Sequence, residues 1–375
     1  MKRICTMVAG LLLAVTWLPA VSAAQELHND DRGVWRAEVV EVLAAEVRLI
    51  PGTDTEQTYQ TINAELLEGP ESGKVVTIEN DYLVLEVGDL FYANHAVFID
   101  GSESYGVIGI DRLHSMLWLI AVFVGVIVLF GGWQGVRSLT ALLASFLVII
   151  YVLMPGILSG WNPLVASVLV ASGILFAAIF FTHGFNRESA VAYAGTMIAV
   201  ALSGIFAIGA VHFTSLTGFA AEASTYLNFN TGGSIDFTAL LLGAIIIGVL
   251  GVLDDISVTQ AAVVTELYNS NKTLPRKEVY LKAMRVGREH VGALVNTLVL
   301  AYTGASLPLL LQFYLSSPSL ASAINTELIA TEIVRTIVGS LGLIMAVPIV
   351  TALAVVYLKD YVPKHPHSHS HGHSH

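Results

Sequence analysis

Two adjacent carboxylates, Asp254 and Asp255, interrupt an otherwise apolar run from Phe237 to Leu267, FTALLLGAIIIGVLGVLDDISVTQAAVVTEL. A carboxylate in the middle of a membrane helix costs about 2.5–3.5 kcal/mol on insertion scales, so an Asp there marks an ion path, a proton relay or a polar pairing. Side by side, two such groups titrate as a coupled pair, which suits a proton carrier. On a helix, Asp255, Thr259, Ala262 and Glu266 recur at i, i+4, i+7 and i+11 and form a polar stripe. Ile245, Ile246, Val249, Leu250 and Leu253 supply apolar surface in other directions. A span of about 20 residues counted from Phe237 ends near Ile256 and leaves the pair at the headgroup boundary. Counted from Leu240 to Val264, the span holds both carboxylates well inside.

Other polar groups could work with this pair. The next apolar segment starts at Glu289 and His290 and reaches Asn296 and Thr297 about two turns later. With the two segments antiparallel, Thr259, Gln260, Asn296 and Thr297 are expected at a depth similar to Asp254 and Asp255, forming a proton or substrate path. Glu332 and Arg335, three residues apart, can pair along one helix face near the opposite boundary. An interfacial ion pair with a snorkelling Arg is the plainer reading of these two. Pro308 and Pro348 lie inside apolar segments and predict kinks. The terminal PHSHSHGHSH places imidazoles at His365, His367, His369, His371, His373 and His375, a spacing able to chelate Zn or Ni. No cofactor is required by the rest of the chain.

The elements that must position these groups follow from composition. Of 375 residues 55% are hydrophobic and 13% charged, with a mean hydropathy of +0.71, more apolar surface than a soluble chain of this size hides. Residues 1–24 combine Lys2 and Arg3, an apolar run from Met7 to Leu18 and small residues around Ala23, the pattern of a cleaved secretory signal. The single cysteine, Cys5, falls within it, so no disulfide is expected in the mature chain. Residues 25–112 read as short strands (VWRAEVVEVL, TYQTINAELL, KVVTIEN, YLVLEVGD, FYANHAVFI and YGVIGI) separated by Gly and Pro, as in a small OB-like or SH3-like β-barrel. His95, Asp100 and Asp111 scatter there, and His95 reads as a surface or strand-edge histidine.

Residues 113–358 contain seven apolar spans, roughly 114–131, 137–154, 162–181, 189–211, 237–259, 289–311 and 330–357, each long enough to cross a bilayer. The expected fold is therefore a membrane all-α bundle of about seven transmembrane helices, preceded by a small extracytoplasmic β-domain. Arg137, Arg187 and the group Lys272, Arg276, Lys277, Lys282, Arg285 and Arg288 alternate with loops 155–161, 212–236 and 312–329, which have no Lys or Arg. By the positive-inside rule the β-domain is outside and residues 359–375 end in the cytoplasm.

Three stretches, GVLGVLDDISVTQAAVVTELY, NTLVLAYTGASLPLLL and IATEIVRTIVGSLGLIMAVPIVTALA, resemble the YibE/F-like family of bacterial integral membrane proteins. The resemblance implies architecture, and the bacterial inner membrane as its place, rather than an activity. A weaker likeness joins Gly251 to Val258 to the carboxylate-bearing helix of resistance-nodulation-division permeases and of SecD and SecF. It implies proton coupling at Asp254 and Asp255, although the large porter domain is missing here, loop 155–161 being only a turn.

Nucleic-acid binding lacks a basic surface with interleaved aromatics. Serine, cysteine and phosphate-loop motifs do not occur, and adjacent Asp residues point about 100° apart on a helix, so they cannot face each other across a water as in an aspartyl protease. The expected function is thus non-enzymatic: proton-linked transport of a small solute or ion across the lipid bilayer, with a homodimer expected. Competing expectations are a metal-ion exporter using the His-rich tail and an envelope assembly factor binding through the outer β-domain.

Overall fold

The computed structural model describes residues 33–50, 52–98, 102–220, 222–316 and 319–359. The expected signal segment 1–24, Asp100 and the His-rich tail lie outside them. The chain divides into two compact units, residues 1–133 and 134–375.

In the first unit, β1 (Gly33–Leu49), β2 (Glu56–Leu66), β3 (Val75–Asn80), β4 (Leu90–Val97) and β5 (Glu103–Ile110) form one antiparallel sheet in the order β3-β2-β1-β4-β5. Alternation along β1 buries Ala37 and Val39 and exposes Glu38 and Val40. Irregular register at Val39/Glu41 and Val42/Ala44 marks bulges, which add bend and twist. The sheet curls until its outer strands, β3 and β5, touch, giving a half-barrel around Ile62, Leu66, Ile78, Leu85 and Phe91.

Two expectations fail here. The stretch from Tyr82 to Asp89 is a loop, not a strand. The buried Gln60 amide occupies the Leu85 backbone, accepting from its N–H at 2.8 Å and donating to its carbonyl at 3.0 Å. Asn80 accepts from the N–H groups of Tyr82 and Leu83. Side-chain amides thus satisfy the backbone that a ladder would otherwise need. His95 is not a surface histidine; it is 5% exposed, stacked between the Trp35 and Tyr105 rings at 4.7 and 4.8 Å. Burial follows from β4 lying between β1 and β5. A Cβ on Gly33 or Gly69 would meet the Trp35 indole at 2.4 or 2.6 Å, so only glycine fits beside that ring. The Tyr105 hydroxyl donates to Glu71 at 2.7 Å, and Lys74 pairs with Glu71 at 2.7 Å. Asp111 pairs with Arg36 at 2.7 Å and accepts from the Leu113 N–H at the start of the first helix.

The helices are α1 (Leu113–Leu158), α2 (Pro163–His183), α3 (Arg187–Phe213), α4 (Glu222–Asn230), α5 (Phe237–Ser270), α6 (Arg276–Ala305), α7 (Leu307–Leu315), α8 (Leu320–Ile324) and α9 (Glu327–Tyr357). Five of them, α1, α2, α3, α5 and α9, are long and apolar enough to cross a membrane, and α6 with α7 makes a sixth bent by 59°. The expected spans 114–131 and 137–154 run on as the single stretch α1, broken where Gly132 adopts φ 55°, ψ −137°. Of the two predicted kinks, the bend falls at Ser306, beside Pro308, whereas α9 runs unbroken through Pro348.

In the second unit α3, α5 and α9 pack on one another, α2 packs on α5, and α6 packs on α9 and α5. Small residues set the close approaches. Gly195 on α3 faces Val350, Gly342 on α9 faces Ser203, Gly243 on α5 faces Ser167, and Gly287 on α6 faces Val347. Without a hydrophobic drive between helices in lipid, such contact is what packing rests on.

Candidate functional site

Asn162, Asn186 and Asp236 cap α2, α3 and α5, each side chain accepting a backbone N–H of the first turn. The Asn186 amide also donates to the His183 carbonyl at 3.0 Å, fixing the tight turn at Gly184 (φ 84°) between α2 and α3. This turn brings His183 and Glu188 against the second half of α5. His183 interacts electrostatically with Asp255, and Glu188 with Thr265 and Glu266.

On α5 the buried face is Leu253, Ile256, Ser257, Gln260, Ala261 and Val264. Asp254 sits at its edge, half-buried, with Oδ1 shielded from solvent and without a hydrogen-bond partner among the described residues. Asp255, Thr259 and Glu266 are exposed, so the polar stripe read from the sequence lies on the outward face of the helix. The Ser257 hydroxyl, one turn below Asp254, is likewise buried without a partner. A half-buried acid beside an exposed acid with a histidine in range can hold and pass a proton; the Asp254 oxygen is shielded while Asp255 is exposed.

Gln260 does something different from the expected lining of a path. It is 0% exposed, and its amide donates to the Ala283 carbonyl at 2.9 Å and to the Thr351 hydroxyl at 2.8 Å, tying α5 to α6 and α9. These contacts also set depths. At about 1.5 Å per residue, Asn296 stands about 20 Å beyond the level of Ala283, while Asp254 stands about 9 Å above Gln260 on that side. Asn296 and Thr297 are therefore about a helix diameter away in depth from the carboxylates. Both are exposed, and the Thr297 hydroxyl donates to its own helix at Ala293. The equal-depth expectation does not hold in this register because α6 is already level with Gln260 at Ala283, six residues before Glu289, so counting from Glu289 places Asn296 too near the start of the span.

Glu332 and Arg335 pair at 2.7 Å, as their spacing predicts. Three groups escaped the sequence reading. His183 is the last residue of an apolar span, a position that could have flagged it. Glu188 opens the next span. Glu327, at the start of α9, accepts from the N–H groups of Thr217 and Gly218 at 2.7 Å each and from the Thr217 hydroxyl, holding the loop after α3. Gly218 (φ 88°) passes so close to Phe237 that a Cβ there would lie 2.3 Å from its carbonyl oxygen. The loop 212–236 is thus clamped at its start onto α5 and α9. Among the described residues no cluster of His, Cys, Asp and Glu could hold a metal ion.

A family model described as YibE/F-like protein matches residues 119–360, the helical region that carries every group above. The chain belongs to the YibE/F-like family. No curated protein and no solved structure matches it. This YibE/F-like chain is, by its family and its long apolar helices, a multi-pass membrane protein.

Proposed function

We propose that this protein is a proton-linked transporter of a small solute, with Asp254 and Asp255 as the proton carriers and His183 as the group that exchanges protons with Asp255. The observation that carries the reading is the shielded, unpartnered oxygen of Asp254 on the most buried helix of the bundle. An acid left without a protein partner there costs several kcal/mol when charged and far less when neutral.

In this reading the protein lies in the bacterial cytoplasmic membrane with seven spans. The stretch Leu113–Leu158, at 46 residues, would extend about 69 Å if straight, over twice the hydrocarbon thickness of about 30 Å. Split at Gly132 it supplies two spans, and α2, α3, α5, the bent α6–α7 pair and α9 supply five. Seven crossings agree with the loop charges, which put the half-barrel, an OB-like or SH3-like module delivered by a signal peptide, outside and the C-terminus inside.

The test is solute-dependent proton movement into liposomes reconstituted with the full chain and an interior pH dye. Zn²⁺, Ni²⁺, small anions and small amines are added one at a time. Transport is expected in the wild type and lost in Asp254→Asn with insertion intact. Flux in Asp254→Asn and Asp255→Asn equal to that of the wild type overturns the proposal.

A further inference from the structure

The bend between α6 and α7 opens a cavity of about 220 Å³ against α9. It lies far from the carboxylate pair. Val249 on α5 meets Gly339 on α9, and the two helices run in the same direction. Glu332 is therefore level with about residue 242 of α5, roughly 18 Å along the bundle from Asp254 at 1.5 Å per residue. Tyr302 and Thr303 line the cavity from α6, Ser306 from the bend, and Glu332 from α9. Much of the remaining wall is apolar, including Leu309 and Ile333.

We infer that this cavity is a binding site for a small organic ammonium, a cationic head on a short apolar body. No Lys or Arg lines it. Glu332 does, and its bond to Arg335 engages one carboxylate oxygen through one guanidinium nitrogen at 2.7 Å, leaving the second oxygen for a ligand. The last turn of α6 supplies the Tyr302 and Thr303 hydroxyls, and its C-cap supplies that of Ser306. The carboxylate favours a positive head, and the hydroxyls can accept its hydrogen bonds. The aliphatic wall rewards an alkyl or aryl body and disfavours a hydrated inorganic ion. The volume falls below the 300–1,000 Å³ or so of pockets for drug-sized ligands, which limits the body to a few carbons.

A broken membrane helix lining a cavity is how many transporters build substrate sites, because irregular backbone is tolerated only there. The purpose of the site rests on the transporter reading; its existence does not. Arg335 then acts as the resident counter-ion that an incoming ammonium partly replaces.

The site is read by charge-selective labelling of the full chain in detergent. In a Cys5→Ser background, Thr303→Cys is treated with aminoethyl and sulfonatoethyl methanethiosulfonate, with Ser322→Cys on the exposed α8 as the reference position. The cationic reagent is expected to gain at least tenfold over the anionic one at residue 303 relative to residue 322. n-Butylammonium should slow labelling at 303, whereas n-butanol, butyrate and sodium at equal ionic strength should not. Glu332→Gln should abolish both the preference and the protection, while Asp254→Asn should leave them intact. The same reagent ratio at 303 and 322, no protection by n-butylammonium, or equal protection by sodium overturns the assignment. Since no arm measures transport, absent proton flux would overturn the transporter reading alone.

Discussion

Gly287→Ala tests the packing that holds the α5, α6 and α9 helices in register. A methyl at this position would lie 2.4 Å from Val347 Cγ1 and 3.0 and 3.1 Å from the Gln260 amide atoms. Ordinary carbon contacts are about 3.5–4.0 Å, so the shortfall exceeds 1 Å. Neither neighbour can turn aside, Val347 being 1% and Gln260 0% exposed. The helix α6 must back away, which stretches the Gln260–Ala283 bond from 2.9 Å. Overpacking costs about 1–3 kcal/mol, and the weakened interhelical hydrogen bond adds about 0.6 kcal/mol. Replacing glycine by alanine in a helix returns up to about 1 kcal/mol. The net loss is about 1–3 kcal/mol, or roughly 3–9 °C in Tm for a unit of this size. Val347→Ala removes the clashing methyl, so the double variant should be more stable than the sum of the single losses by at least about 0.5 kcal/mol. Thermal unfolding of the four proteins in detergent, followed by intrinsic fluorescence, measures this. A Gly287→Ala Tm at or above wild type, or strict additivity with Val347→Ala, refutes the close approach.

Gln260→Met keeps the volume and removes two hydrogen bonds. It should cost about 1 kcal/mol in the same thermal assay while proton flux persists; lost flux with an unchanged Tm would put Gln260 back in the path. Glu327→Gln should free the loop after α3, seen as protease cleavage between residues 214 and 236 at least severalfold faster than in wild type; unchanged cleavage contradicts the clamp. In the half-barrel, the Lys74 ammonium and the Tyr105 hydroxyl bonded to Glu71 hold its carboxyl below the usual carboxylate range. Its folded-state value is depressed, so its stabilising contribution is present above the unfolded value of about 4 and is lost as pH falls through the folded one. Amide protection across residues 34–110 of the full chain, taken relative to the intrinsic exchange rate at each pH, should fall between about pH 5 and pH 3, and less steeply in Glu71→Gln. Identical pH dependence in the two proteins removes Glu71 from that account.

What could be read directly from the chain was what one dimension carries. Apolar segments of spanning length, the change from Gly- and Pro-punctuated strands to long helices near residue 112, the i, i+3 pairing of Glu332 with Arg335 and the family motifs depend on local composition and spacing alone. The Asp pair was visible for the same reason, since two carboxylates in an apolar run stand out whatever surrounds them. Side-chain partners were not visible. Gln260 reads as one more polar residue beside the carboxylates, and only the arrival of Ala283 and Thr351 from two other helices makes it a tie. The burial of His95 required the strand order, because β1 and β5 flank β4 although β1 is distant in sequence. The stretch Tyr82–Asp89 has the composition of a strand, yet the Gln60 amide, reaching from β2, takes the backbone groups that pairing would use. The separation of Asn296 from Asp254 depends on the axial register of α6 against α5, set by the close approach at Gly287. Composition and periodicity determine which segments enter the membrane and which of their faces are polar. Which polar groups meet is decided by helix register and close approach, quantities fixed by side-chain volumes on several helices at once.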